Sequence, residues 1–271
     1  MSEMTTALRK ELLRTSNIGH DGNLQSGFSS MEILWTLYDR ILHVTPETVQ
    51  DPERDRFVLS KGQSTEALLT VLAQKGFISA EELQTFCQYD SRIAMQADRT
   101  KLPVEISAGS LGHGLPMAVG MAWAGKIRDS HARVFALVGD GEMNEGTMWE
   151  AMFFAASEKL GNLTVIVDDN NSLSRMMDMG DLSAKLRAFG FEACTVDGHN
   201  EDALEQALKL QHEKPLAVIA KTIRGYGSKT LMEDRSWFHR YPNDDELGIL
   251  LAEVDAFNAP KEDAQCFFGR G

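Results

Sequence analysis

Gly139-Asp140-Gly141 places a carboxylate between two glycines, directly after the apolar run 134–138. A second apolar run, 163–167, leads to Asn170-Asn171. If these runs are parallel strands joined by one helix, Asp140 and Asn170 come to the same sheet edge, the carboxyl edge where ligands of open α/β sheets collect. A carboxylate and an amide oxygen are hard donors. Completed by a main-chain carbonyl, water and ligand phosphates, they suit octahedral magnesium, whereas zinc would draw histidine or cysteine. Taken alone, Gly-Asp-Gly is also an ordinary strand-to-helix turn and Asn-Asn an ordinary polar loop. The strand, helix and strand that separate them make the pair a compound signal.

The elements that must position these residues are legible from apolar periodicity. Helical spacing runs over 8–18 and again over 31–42, where Ser29 and Ser30 are capping candidates and Pro46 lies beyond the end, giving two N-terminal helices. A short strand at 57–59, a glycine turn and a helix at 65–74 follow, and Ser79 with Glu82 forms a capping-box pattern opening a helix over 79–87. The second half alternates strands at 134–138, 163–167, 193–196 and 216–220 with helices at 147–160, 182–189 and 201–211. Fully apolar strands between amphipathic helices predict an α/β fold: a doubly wound parallel sheet with helices on both faces. No linker, low-complexity tract or clean repeat divides the chain, so residues 1–271 read as a single domain, with a C-terminal loop from about 223 and a helix at 244–257.

The 271 residues carry 27 basic and 40 acidic side chains, a formal charge of −13. Such a surface repels a phosphate backbone, which excludes generic nucleic-acid binding. Hydrophobic residues at 43% and charged residues at 25% describe an ordinary globular chain. Cys87, Cys194 and Cys266 are too few and too scattered for a disulfide framework or a paired-cysteine metal site, which points to a reducing compartment. With no signal-peptide pattern and no apolar run long enough to span a bilayer, a cytoplasmic location without membrane partners is expected.

Further blocks narrow the reading: Ile18-Gly19-His20, Asp55-Arg56-Phe57-Val58-Leu59-Ser60-Lys61-Gly62, Gly109-Ser110-Leu111-Gly112-His113-Gly114, Gly139-Asp140-Gly141-Glu142-Met143-Asn144-Glu145-Gly146 and Lys221-Thr222-Ile223-Arg224-Gly225-Tyr226-Gly227. In this order they resemble the N-terminal, diphosphate-binding half of a thiamine diphosphate-dependent transketolase, up to about Phe257. The resemblance implies that Asp140, the Asn170 side chain and the Ser172 main-chain carbonyl hold Mg2+, which grips the cofactor diphosphate. It also implies that Gly109, Ser110, Leu111, Gly139, Gly141 and Glu142 contact the cofactor, with Gly141 admitting the backbone close to the diphosphate. His113 either joins them or packs as a hydrogen-bonded core residue. By the same resemblance His20 stands beside the reacting carbon for donor hydroxyls and proton transfer, and Glu145 links the two cofactor sites across a dimer. His199 reads as a structural cap or a cofactor-loop residue, and His43, His131 and His212 as surface residues. Met152-Phe153-Phe154 and Met176, Met177 and Met179 read as interface or core packing.

The chain departs from the family where histidines are expected: Gln63 and Gln96 stand in two such places, and Phe238, with His239 one position displaced, in a third. Glutamine hydrogen-bonds but carries no proton at neutral pH, so altered substrate scope with the chemistry retained is expected. The family's pyrimidine-binding domain is missing. The resemblance therefore implies a heterotetramer with a separate C-terminal, pyrimidine-binding subunit, moving a two-carbon ketol unit between sugars or sugar phosphates. A related carboligase with a 2-oxo acid donor or a carrier-bound acyl acceptor, and a non-catalytic subunit that kept the fold, stay open beside that reading.

Overall fold

The computed structural model describes residues 1–172, 177 and 179–257. Met176 and Cys266 lie outside the described residues. Among those described, five strands, β1 Arg56–Leu59, β2 Val134–Gly139, β3 Leu163–Asp169, β4 Glu192–Asp197 and β5 Leu216–Lys221, form one parallel sheet in the order β1-β2-β3-β5-β4. The helices are α1 Glu3–Gly19, α2 Leu24–Ser29, α3 Met31–Thr36, α4 Thr65–Gln74, α5 Ala80–Leu83, α6 Gly114–Ile127, α7 Gly146–Ser157, α8 Leu182–Ala188, α9 Glu201–Leu208, α10 Lys229–Glu233 and α11 Asp244–Ala256. No described helix is long and apolar enough to cross a membrane.

Strand order and the right-handed rule together decide which helix covers which face. The crossovers β1 to β2, β2 to β3 and β3 to β4 all move the same way across the sheet, and their helices α6, α7 and α8 share a core with Val58, Ala136, Val138, Val165 and Val167. The crossover from β4 to β5 moves back. Its helix α9 therefore joins α1–α4 and α11 on the opposite face, over Phe57, Leu59, Phe135, Leu137, Ile166 and Val218. The alternation of successive strand residues between the two cores is the period-2 geometry of a pleated strand.

The expected doubly wound sheet is present, with local corrections. The N-terminal pair of helices is three helices and a π turn, Leu37–Ile41. Ser30 stands at the N-cap position of α3, but neither serine makes a side-chain capping bond: the Ser30 hydroxyl bonds the Ser26 carbonyl and Ser64 Oγ, and Ser29 bonds Asp168 Oδ2. Helix α6 is one that the sequence reading does not assign, and Pro116 is tolerated because it sits in the first helical turn, where no intrahelical amide bond is lost. Strand β4 is an edge strand and only half-buried, and the stretch after Thr222 contains α10 rather than loop alone. The capping box at Ser79 and Glu82 forms as read, opening a helix that ends at Leu83.

Candidate active site

Adjacent strands whose following segments leave toward opposite faces open a crevice at their carboxyl ends. After β1 the chain turns to α4 on one face, and after β2 it turns to α7 on the other. A cavity of about 460 Å³ lies there, bounded by Lys61 beyond β1, Asp140 beyond β2, Asn170 beyond β3 and Arg224 beyond β5. Register explains the convergence: Gly139 pairs with Asp168 and Asp169 with Lys221, so all four strands end at one level.

Asp140 is buried, and its Oδ1 accepts from Gly141 N at 2.8 Å and Ser172 Oγ at 2.7 Å while Oδ2 accepts from Ser172 N at 2.7 Å. A carboxylate offers about four lone-pair sites, so one remains open on Oδ2. Burial, with the negative Asp168 nearby, pushes the Asp140 carboxyl above its ordinary range. Asn170 Nδ2 donates to Ser29 Oγ at 3.1 Å and to Asp168 Oδ2 at 3.3 Å, which orients the amide and leaves Oδ1 buried with no partner among the described residues. A buried carbonyl oxygen without a donor is costly, and a cation beside it removes that cost. Among the described residues no cluster of three or more His, Cys, Asp or Glu could hold a metal. A cation at this edge would be held by the oxygens of Asp140 and Asn170, completed by the Ser172 segment, ligand and water, a donor set that fits Mg2+.

Behind the cavity stands a residue that sequence reading missed. Asp168 is fully buried near the end of a largely apolar strand, and it accepts from Lys61 Nζ, Thr222 Oγ1 and Ser29 Oγ as well as from Asn170. An aspartate directly after the apolar run 163–167, where the strand still continues, was the available signal. Glu142 also turns inward: it accepts from Ser60 Oγ at 2.5 Å, Gly112 N at 2.8 Å and Gly139 N at 3.3 Å, tying the 109–114 turn to the end of β2. Gly112 has φ +80, and a Cβ there would lie 2.6 Å from Thr147 Oγ1, so only glycine fits. Leu111 and Glu145 line the cavity, Glu145 with its side chain exposed at the mouth.

The histidines take several different places. His20 ends α1 in a left-handed conformation, exposed and stacked on Tyr241 at 5.1 Å between centroids, and does not line the cavity. From the same loop it is the buried Asn23 that does. His113 is exposed, its Nδ1 within 3.1 Å of Ser110 Oγ and 3.0 Å of the Leu111 carbonyl, which removes the core-packing alternative. His199 is structural: Nε2 accepts from Ile223 N at 2.9 Å, so Nδ1 donates to Glu32 Oε2 at 3.0 Å, and the ring stacks on Tyr226. Glu32 also takes a bidentate Arg9, whose Nε bonds the Tyr226 carbonyl. This network holds the 223–228 segment and therefore Arg224, whose guanidinium bonds Gln25 at 2.7 Å and lies over Phe238. Gln63 and Phe238 line the cavity, whereas His239 points back to Asn23, Nδ1 to Nδ2 3.4 Å. Met152 is core, while Phe153 and Phe154 beside it are exposed at 68% and 40%.

A family model described as "Transketolase, thiamine diphosphate binding domain" matches residues 2–246. The chain belongs to the transketolase family. This transketolase domain is 35% identical over 255 residues to a protein of Actinobacillus succinogenes named as one subunit of apulose-4-phosphate transketolase, covering 91% of this chain and 92% of that one. It is 44% identical over 209 residues to the protein named ferredoxin fas2 of Rhodococcoides fascians, covering 76% of this chain and 68% of that one. Its fold matches the transketolase from Leishmania mexicana with a TM-score of 0.84 at 23% identity, covering 93% of this chain and 41% of that chain. The domain thus spans about two-fifths of that full-length transketolase.

Proposed function

We propose that the chain is the diphosphate-binding subunit of a two-chain transketolase, which moves a two-carbon ketol unit from a ketose donor to an aldehyde acceptor. The observation that carries this is the buried Asn170 Oδ1, without a partner among the described residues, lining one cavity with the Asp140 carboxylate at the carboxyl edge of the sheet. The match to a protein named as one transketolase subunit, over nearly the whole length of both chains, supports the two-chain organisation. The chemistry that thiamine diphosphate supplies when bound is a carbon nucleophile for the donor carbonyl. This chain would hold Mg2+ through Asp140, Asn170 and Ser172, admit the diphosphate over Gly141 and the Gly109-Ser110-Leu111 turn, and use Lys61 and Arg224 to offset phosphate charge. Glu142 shapes the turn from behind. Asn23 and Gln63 present neutral amides to the substrate, so they orient hydroxyls without carrying protons.

The partner is a pyrimidine-binding subunit, in a heterotetramer of two copies of each chain. It would cover the apolar strip where Trp123 of α6 stacks edge-on against Phe154 of α7 next to exposed Phe153 and Ile127. Exposed Glu145 would reach across that interface toward the second site. A cytoplasmic location agrees with Cys87 and Cys194 being free thiols. A second reading, an anionic 2-oxo acid donor, is favoured by the half-buried Arg224 guanidinium beside Phe238, which suits a carboxylate. Calorimetry tests the core of the proposal: thiamine diphosphate should bind only with magnesium, and Asp140→Ala should abolish tight binding. Unchanged affinity in that variant would remove the metal assignment. Donor profiling of the assembled pair separates ketose from 2-oxo acid.

A further inference from the structure

Glu66 is a buried carboxyl that the site described above does not use. It sits on α4, 1% exposed, and its Oε2 accepts the main-chain amide of Asn23 at 2.9 Å. Its Oε1 is buried with no partner among the described residues, and so is Oδ1 of Asn23, itself 1% exposed. The loop passes directly over the carboxyl: a Cβ at Gly22 would lie 3.4 Å from Glu66 Oε1 and 3.2 Å from the Arg240 carbonyl. Two unpaired acceptors under one loop cannot satisfy each other as they stand. A proton on Glu66 turns one of them into a donor.

We infer that Glu66 is a positioning residue: as a neutral acid it clamps the loop from His20 to Asn23 and presents Asn23 to the cavity, and on losing its proton it releases both. The titratable and charged neighbours leave the anion unsupported. Asp21 faces it from the loop with a negative charge and the Cys87 thiol from beyond α5, His239 reaches Asn23 from the far side, and among the described residues no cation pairs with Glu66. Burial, helped by Asp21 and opposed by the Asn23 amide, pushes its carboxyl up to about 8. The consequence for substrate rests on the cavity being the transketolase site. The clamp itself does not.

The test uses the full chain and needs no ligand for its first part. Infrared spectroscopy with 13C-labelled glutamate should show a protonated carboxyl that titrates with a midpoint near 8 and is absent from Glu66→Gln. Amide protection at residues 20–23, corrected for intrinsic exchange, should fall by up to about tenfold per pH unit between about pH 5 and that midpoint and level off above it, stay level in Glu66→Gln, and be lost at every pH in Glu66→Ala. In the assembled enzyme the donor KM should rise over the same range, and should not do so in Glu66→Gln. A carboxyl already ionised at pH 6, or Glu66→Gln behaving like Glu66→Ala, overturns the clamp. The wild-type titration decides this even if a variant fails to fold. Failure of thiamine diphosphate to bind the wild-type pair assembled with its partner subunit would instead strike the functional reading and leave the clamp standing.

Discussion

Asp168→Ala removes the carboxylate on which four side chains converge. Lys61 Nζ, 4% exposed, would be left with no counter-charge, and Thr222, Ser29 and Asn170 would each lose an acceptor. Breaking a buried ion pair by deleting one partner costs ~3–5 kcal/mol, mainly because the survivor stays desolvated. For a domain of this size that is a fall in Tm of roughly 6–20 °C, read by calorimetry at pH 7. Replacing both partners, Lys61→Met with Asp168→Leu, should recover most of the loss, because no charge is then stranded. The site should respond separately. With one of its two Nδ2 acceptors gone and the other, Ser29, losing its own bond to Asp168, Asn170 is less firmly oriented, and magnesium-dependent cofactor affinity should drop by ~10–100-fold, the usual effect of losing a ligand's orienting partner. A stability loss under ~1 kcal/mol, or full cofactor affinity in a folded Asp168→Ala chain, would refute the assignment of Asp168 as the hub.

Burial alone would raise the Glu32 carboxyl, but Arg9 and His199 hold it down to about 2. Its ~3 kcal/mol of stabilisation is therefore present above about pH 5 and lost as pH falls toward 2, and urea unfolding across that range should show a slope that Glu32→Gln lacks. Glu66 has the opposite sign: its raised carboxyl favours the fold at low pH, and stability should decline as pH climbs from about 5 to about 8 in the wild type but not in Glu66→Gln. Asn23→Ala should reduce turnover of the assembled pair more than His20→Ala, because Asn23 lines the cavity and His20 does not; the reverse order would return His20 to the reacting carbon. Phe153→Ser on the exposed strip should weaken association of the two chains by about tenfold or more in sedimentation, and an unchanged constant would move the interface elsewhere.

Sheet and helices on both faces were readable because β2, β3 and β5 are short, continuous apolar runs, and residues of that kind have few other places to go. Helix α6 was hidden by its own composition. Three glycines and a proline read as breakers, and its apolar residues show almost no periodicity because it packs on the sheet on one side and exposes Met117 and Trp123 on the other. Asp140 and Asn170 could be found because each follows directly on a strand. Asn23 could not: its importance comes from lying over Glu66 and beside His239, contacts across 43 and 216 positions of chain, while the conspicuous Gly19-His20 pair sits three residues away. Sequence reading misses Asp168 and meets Lys61 only within a motif, because nothing in the sequence shows that these two charges, each near the end of an apolar strand, face each other across the fold.

Strand β5 lies between β3 and β4, although it is the last of the five to leave the ribosome. Until it arrives, β4 has no partner in the sheet, and β3 presents a bare edge of unpaired amides and carbonyls. The nascent chain must therefore wait for Lys221 before the sheet can close. The next residue, Thr222, delivers a hydroxyl to Asp168. Completion of the sheet and the last hydrogen bond to Asp168, which helps orient Asn170, thus come together in synthesis, so a chain truncated before β5 would lack both a finished fold and a fully bonded Asp168.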